Sequence, residues 1–452
     1  MQTLSNRLAI AVAVFVVACL AYDMRRSLYR IVLGRTVVLV SVFYWYLLEA
    51  IRIPEALESY TPSEYRFGLF CIVLSVVVFL IAYHSSQLNT FGGLQRRLFV
   101  LDDPRILWRL MLAGMAIGFG SLLIYADFNV FAFFEGLTGM TRRWTGSLAR
   151  ERYGSWSTIL YEMQMFLQAV IPLAVCLAAM RRAPAFQRCV AALFVLWMLV
   201  RTVFTGSRSS LLPIVLCLAA AAFWRAGPRM RRGLVFIGLP IALVGAFLLS
   251  AVIVAGRNEG KFDLSTATTT DYVGFEMFRE LLFVMRAHGE GLPSEYGLTY
   301  FTQLVNPIPR AIWPGKPVAD AGLILARAYG AVDRNGEPTM TTSPGFLGEA
   351  YLNFGFVGLL IIPAAAGIIV RAWDRLLSTA SISLPAFLIY AAGLSTIFQS
   401  GRSVNISAFY GLLALFSLLI LFEQIGWSDR YLQFKQKLRS VGADYHGTAN
   451  RH

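Results

Sequence analysis

The sequence predicts an all-α polytopic membrane protein of about eleven transmembrane helices, within a range of roughly ten to twelve, with one long connecting segment that contains short helices. Two observations lead there. Of the 452 residues, 57% are hydrophobic and 15% charged, against about 45–50% and roughly 25% in a soluble domain. Apolar runs of roughly 17–25 residues recur along the chain, each able to cross about 30 Å of hydrocarbon. They are too many for one buried core.

In order, the apolar runs cover 7–22, 33–52, 67–84, 106–125, 157–180, 189–204, 210–225, 233–255, 346–370, 379–398 and 405–426. No clear small-residue cleavage site follows Cys19 and Leu20, so the first run reads as an uncleaved helix. The organisation is then an N-terminal set of eight helices over 1–255, a long segment over 256–345, a C-terminal set over 346–426 and a basic tail over 427–452.

The formal charge of +14 is a topology signal, because most basic residues sit in short segments between apolar runs. Arg25, Arg26 and Arg30, then Arg96 and Arg97, then Arg181, Arg182 and Arg188 mark cytoplasmic loops. The same parity places Arg225, Arg229, Arg231 and Arg232 inside, with Arg371, Arg375 and the tail bearing Lys435, Lys437 and Arg439. The alternate segments face outward: 53–66 with Glu55, Glu58 and Glu64, then 126–156, 205–210, 256–345 and 399–404. A nucleic-acid partner is not implied by this distribution. Cys19, Cys71, Cys176, Cys189 and Cys217 fall in or beside apolar runs and read as buried, reduced thiols.

Within the long outward segment, Asp271 to His288 reads as an amphipathic helix capped by Thr270 or Asp271 and ended by Gly289. Its stripe of Phe275, Phe278, Leu282 and Met285 predicts a helix lying along the membrane surface. Arg279 and Arg286 share one face of it. The 306–317 stretch that follows has four prolines between positions 307 and 317 and cannot be helical.

Chemistry is sought among the outward residues. There are four lysines against 36 arginines, and arginine offers a planar fork for phosphate, although codon bias gives the same imbalance. Arg208 and Arg402 stand in Gly/Ser-rich turns at helix starts, where free N–H groups favour anions. A plain hydrophilic turn looks alike. Glu349 falls one to two turns inside the ninth membrane helix if Ser343 and Pro344 are its N-cap and first residue. A carboxylate there is costly unless paired or hydrated, so it either locks to an arginine or serves chemistry at the border of an outer cavity. His288 is the outward histidine, a base near neutral pH or a solvated side chain. HExxH, Walker A and GxSxG motifs are absent, which removes support for zinc hydrolase, NTPase and serine-esterase readings.

Three segments carry a family likeness: Phe204-Thr205-Gly206-Ser207-Arg208-Ser209-Ser210, then Pro309-Arg310-Ala311-Ile312-Trp313-Pro314-Gly315-Lys316-Pro317, then Gly348-Glu349-Ala350-Tyr351-Leu352-Asn353-Phe354-Gly355. With them the chain resembles the Wzy-type O-antigen and oligosaccharide-repeat-unit polymerases of bacterial inner membranes. An Arg-x10-Gly pattern described for such polymerases fits Arg143 with Gly154 and Arg286 with Gly297, although 37 of 452 residues are Gly and chance supplies one match. The family is often described with about twelve helices and both termini inside, where this chain shows about eleven runs.

The resemblance implies a membrane glycosyltransferase of the C-type fold, active at the periplasmic face. It would move a growing glycan from undecaprenyl pyrophosphate onto the terminal sugar of a lipid-linked repeat. No metal or cofactor is implied; membrane lipids and a chain-length regulator protein are the other partners. Arg143, Arg208, Arg279, Arg286, Arg310, Trp313, Lys316 and Arg402 are the candidate pyrophosphate or substrate contacts, and Glu349 ahead of His288 the candidate base. Arg208, Arg310 and Arg402 are expected to converge on one pyrophosphate. An O-antigen ligase would differ in acceptor, and a lipid-oligosaccharide flippase would show pseudo-symmetric halves, whereas no internal repeat is visible.

Overall fold

The computed structural model describes residues 2–26, 28–52, 57–88, 98, 100–138, 156–205, 208–234, 238, 276–306, 308, 310, 312–317, 319–334, 336, 338–339, 342–377, 383–404 and 407–424. Among them there is no strand, and one isolated bridge joins Val332 to Pro338. The helices are α1 Gln2–Arg26, α2 Gly34–Val42, α3 Leu48–Arg52, α4 Pro62–Ser85, α5 Pro104–Tyr125, α6 Val130–Thr138, α7 Trp156–Met163, α8 Met165–Ala179 and α9 Ala185–Thr205. They continue as α10 Arg208–Arg225, α11 Pro228–Gly233, α12 Met277–Gly289, α13 Leu298–Val305, α14 Ala321–Ala328, α15 Gly345–Asp374, α16 Leu384–Ser400 and α17 Ser407–Gln424.

Five helical stretches are long and apolar enough to cross a membrane: Gly34–Ile51, Pro62–Ser85, Pro104–Tyr125, Ala185–Thr202 and Gly345–Leu377. Arg7–Tyr22, Met165–Ala179, Leu211–Arg225, Leu384–Ser400 and Phe409–Gln424 are shorter apolar helices. Each apolar run of the sequence thus coincides with helix, except 233–255, which falls almost wholly outside the described residues. Residues 256–275 and the tail from 425 fall outside them as well.

Helix starts follow local chemistry. The Thr61 hydroxyl accepts from the Glu64 N–H, the Glu64 carboxylate accepts from the Thr61 N–H, and Pro62 fits the first turn, where its missing N–H costs nothing. Asp103 and Ser383 cap α5 and α16 by accepting from the Arg105 and Ala386 N–H groups. The start of α15 differs from the sequence expectation. Pro344 precedes the helix, Ser343 does not cap it, and Gly345 begins it with φ +75. A side chain at Gly345 would also collide with the Tyr46 hydroxyl, so glycine is required there twice over.

Two packed halves share α16. One surrounds α4, where Leu69 and Ile72 pack with Phe278, Leu281 and Leu282 of α12 and Leu347 of α15. The other surrounds α8, whose Leu167, Ala174 and Leu177 pack with α5, α9, α10, α16 and α17. Phe278 and Leu282 of the expected stripe are therefore covered by protein, with Met285 packed partly against them, and they do not lie free on a membrane surface; Phe275 and the expected cap at Thr270 or Asp271 fall outside the described residues. The reason is Gly68: it leaves room on α4 for Leu282 and Phe278, which a Cβ there would obstruct.

α15 is two helices in one. Gly355 has φ +57 and ψ −145, a conformation essentially confined to glycine. Past it the chain turns so sharply that a Cβ on Gly358 would overlap the Ala350 carbonyl. At about 1.5 Å per residue, the part from Phe356 to Asp374 is about 28 Å long, close to the thickness of the hydrocarbon core. The preceding turns, with Glu349, form a separate segment at one end of the bundle.

Candidate functional site

Glu349 is fully buried. One carboxylate oxygen accepts from the Thr299 hydroxyl at 3.1 Å and from the Gln303 amide at 3.1 Å; the other accepts from the Val404 N–H at 3.2 Å. No cation partners it among the described residues. Thr299 and Gln303 are four residues apart and so share one face of α13. That helix covers the carboxylate. The expectation of a carboxylate bordering an outer cavity is not met in this arrangement, because α13, which no local pattern announces, lies over it.

Asn353, one turn beyond Glu349, completes the seal. Its amide donates to the Thr299 hydroxyl and to the Glu349 carbonyl, both at 2.8 Å, while its oxygen accepts from the Gly297 N–H at 3.0 Å. Gly297 has φ +85 and opens α13. The backbone of 295–297 thereby docks along α15, with the Tyr296 N–H on the Asn353 carbonyl at 2.9 Å.

The turn after α16 closes another side. The Gly401 carbonyl accepts from the Phe346 N–H at 3.1 Å and from the Tyr46 hydroxyl at 3.3 Å, and Tyr46 in turn accepts from the Leu347 N–H. Trp45 and Ser41 both donate to the Phe398 carbonyl at 3.1 Å. Trp45 and Tyr46 lie in a π-helical turn, Phe43–Leu47, that joins α2 to α3. Such turns rotate side chains out of α-helical register. Arg402 leaves this turn with its guanidinium 6.0 Å from the Trp45 ring centre, two residues from the Val404 donor.

At the other end of α13, the Lys316 ammonium donates to the Asn306 and Ile308 carbonyls, both at 2.9 Å. It staples the proline-rich loop shut. Burial pushes its pKa down, and the neighbouring positive charge of Arg310 pushes it further. Arg310 is exposed and has no acidic partner among the described residues. Trp313 is also exposed and meets Phe301 of α13 edge-on at 6.3 Å.

The remaining candidates lie elsewhere or are engaged. Arg286 forks onto Glu64 at 2.7 and 2.8 Å, donates to the Ser59 carbonyl at 2.9 Å and sits 4.3 Å from the Tyr60 ring centre. Those bonds raise its pKa and fix α12 to the start of α4. Arg279 pairs with Glu276 at 2.8 Å, and its N–H donates to Glu49 at 3.2 Å. His288, at the end of α12, meets Tyr351 edge-on at 5.7 Å and Ser294 at 3.5 Å; its Nδ1 is buried without a hydrogen-bond partner among the described residues. Arg143 and the side chain of Arg208 fall outside the described residues. Arg310 and Arg402 belong to different groups, one beside Lys316 and one on Trp45, both adjoining the α13–α15 pair.

Sequence reasoning missed Thr299, Gln303, Asn353 and Tyr300. The Tyr300 hydroxyl is buried near Glu349 with no hydrogen-bond partner among the described residues, and burial pushes its pKa up. Asn353 was findable: a second polar residue four positions after Glu349, inside an apolar run, lies on the same face. No family model, curated protein or solved structure matches the chain.

Proposed function

We propose that this chain is a bacterial inner-membrane glycosyltransferase of the C-type fold, with about eleven spans, that polymerises lipid-linked oligosaccharide repeats at the periplasmic face. The observation that carries the reading is Glu349: a buried carboxylate held by three neutral donors and by no arginine among the described residues. A carboxylate paired with an arginine is held ionised, and one buried without a cation is costly. A base needs its lone pairs held by groups that an incoming hydroxyl can replace.

In the reaction, the acceptor sugar hydroxyl takes the place of Thr299 at Glu349. Its oxygen attacks the anomeric carbon of the donor glycan, its proton passes to the Glu349 carboxylate, and the bond from that carbon to the phosphate oxygen breaks. The undecaprenyl pyrophosphate leaves as an anion. Arg310, Lys316 and Arg402 are the cations placed around α13 to meet that charge. Access requires α13 to lift from Glu349. The donor energy lies in the pyrophosphate linkage, so the scheme uses no nucleotide.

The test is the lipopolysaccharide banding of a strain lacking the protein. A product carrying a single repeat is expected. Complete loss of O-antigen would point to a ligase or flippase, and unchanged banding would overturn the assignment.

A further inference from the structure

α13 has its amphipathicity turned inside out. Thr299 and Gln303 face the protein, whereas Leu298, Phe301 and Leu304, the last 65% exposed, face away from it. Through the contact of Phe301 with Trp313 this face continues into the proline-rich loop, where Ile308 and Ile312 are exposed too. Left against water, such a face would forfeit the free energy of burying its apolar surface.

The same face adjoins the flank of two helices apolar enough to cross a membrane. Tyr300 stacks on Phe354 at 6.4 Å, just before the break in α15, and Phe356, just after it, stacks on Phe67 of α4 at 6.3 Å. Phe67, Phe70, Phe356 and Val357 are exposed apolar residues on those helices. At the edge of the patch stand Arg310, without an acidic partner among the described residues, and Lys316.

We propose that α13 and the loop through Lys316 form an interfacial element that sits in one leaflet of the bilayer, its apolar face on phospholipid acyl chains and the exposed Arg310 guanidinium toward anionic headgroups. The short helix carries its polar face into the protein because Glu349 and Asn353 need donors there, and lipid covers the rest. The inference stands independently of the reaction proposed above. It applies whichever side of the membrane this end of the bundle faces.

The test uses the intact chain, reconstituted in phosphatidylglycerol vesicles that contain a phospholipid with a photoactivatable diazirine in its acyl chain. Labelled residues are identified by mass spectrometry. Residues 298–304 and 312–313 should be labelled as strongly as 356–361 of α15, and several-fold above 327–334, which lie outside the proposed element. Replacing phosphatidylglycerol by phosphatidylcholine should lower labelling at 312–313, and Arg310→Gln should remove that headgroup dependence. Background labelling at 298–304 alongside normal labelling of α15 would overturn the proposal, and would mean that protein, including a second copy, covers the face. Labelling indifferent to the headgroup would overturn the role given to Arg310.

Discussion

At the residue scale, a buried carboxylate is satisfied by hydroxyl, amide and backbone donors, and each is worth more here than on a surface because no water replaces it. Thr299→Val keeps the shape of the threonine and removes one donor to Glu349 and one acceptor for Asn353. The loss should destabilise the fold by about 1–3 kcal/mol, read as a lower unfolding temperature in detergent. Gln303→Leu should act in the same direction. If neither variant moves the transition, Glu349 is not held as described. Arg310 is a different matter, because it is exposed. Arg310→Lys keeps the charge but loses the planar fork, so polymer length on gels should fall while protein level stays constant. Full activity of Arg310→Ala would remove it from the site.

At the element scale, the break in α15 separates the segment that carries Glu349 from the part that is long and apolar enough to cross a bilayer. Gly355→Ala forces a side chain into a glycine-only conformation, at a cost of about 1–3 kcal/mol. A loss of thermal stability is expected, and a variant as stable as its parent would show that the helix runs straight. Hydropathy could not reveal this break, because Gly355 sits in an apolar run whose hydropathy is indifferent to φ. α13 was hidden for the opposite reason: its apolar face points away from the protein, and Thr299, Thr302 and Gln303 gave the segment the look of a loop. The proline-rich stretch, by contrast, was legible as non-helical from proline alone, though the role of Lys316 as a carbonyl staple was not.

α12 offers a pH test. Burial lifts the Glu280 pKa from 4.5 to about 7, against the opposing bond from Tyr329 at 3.1 Å and the charge of Arg279. The folded state then holds this proton more tightly than the unfolded chain. Its contribution is therefore complete below about pH 4.5 and is lost as pH rises through about 7. The stability of the parent relative to Glu280→Gln should fall across that window. A difference that grows toward pH 7 would contradict the assignment.

For the whole molecule, composition and the spacing of apolar runs located the helices well, because membrane helices must satisfy their backbone internally and advertise it in length and hydropathy. The inward side of Thr299 and the pinning of Arg286 by Glu64 depend on long-range packing that no local pattern encodes. Sidedness rests on the arginine-rich short loops. Cysteine labelling should therefore find 256–345 accessible from the periplasm and residues beyond 427 from the cytoplasm; labelling of 256–345 from the cytoplasm alone would overturn the site with it. In the proposed reaction Glu349 takes the acceptor's proton, and Glu349→Gln is nearly isosteric but unable to perform that step. When this variant is returned to a strain lacking the parent and is confirmed to be inserted, the lipopolysaccharide should carry a single repeat. Long-chain banding at the parental level would contradict the account.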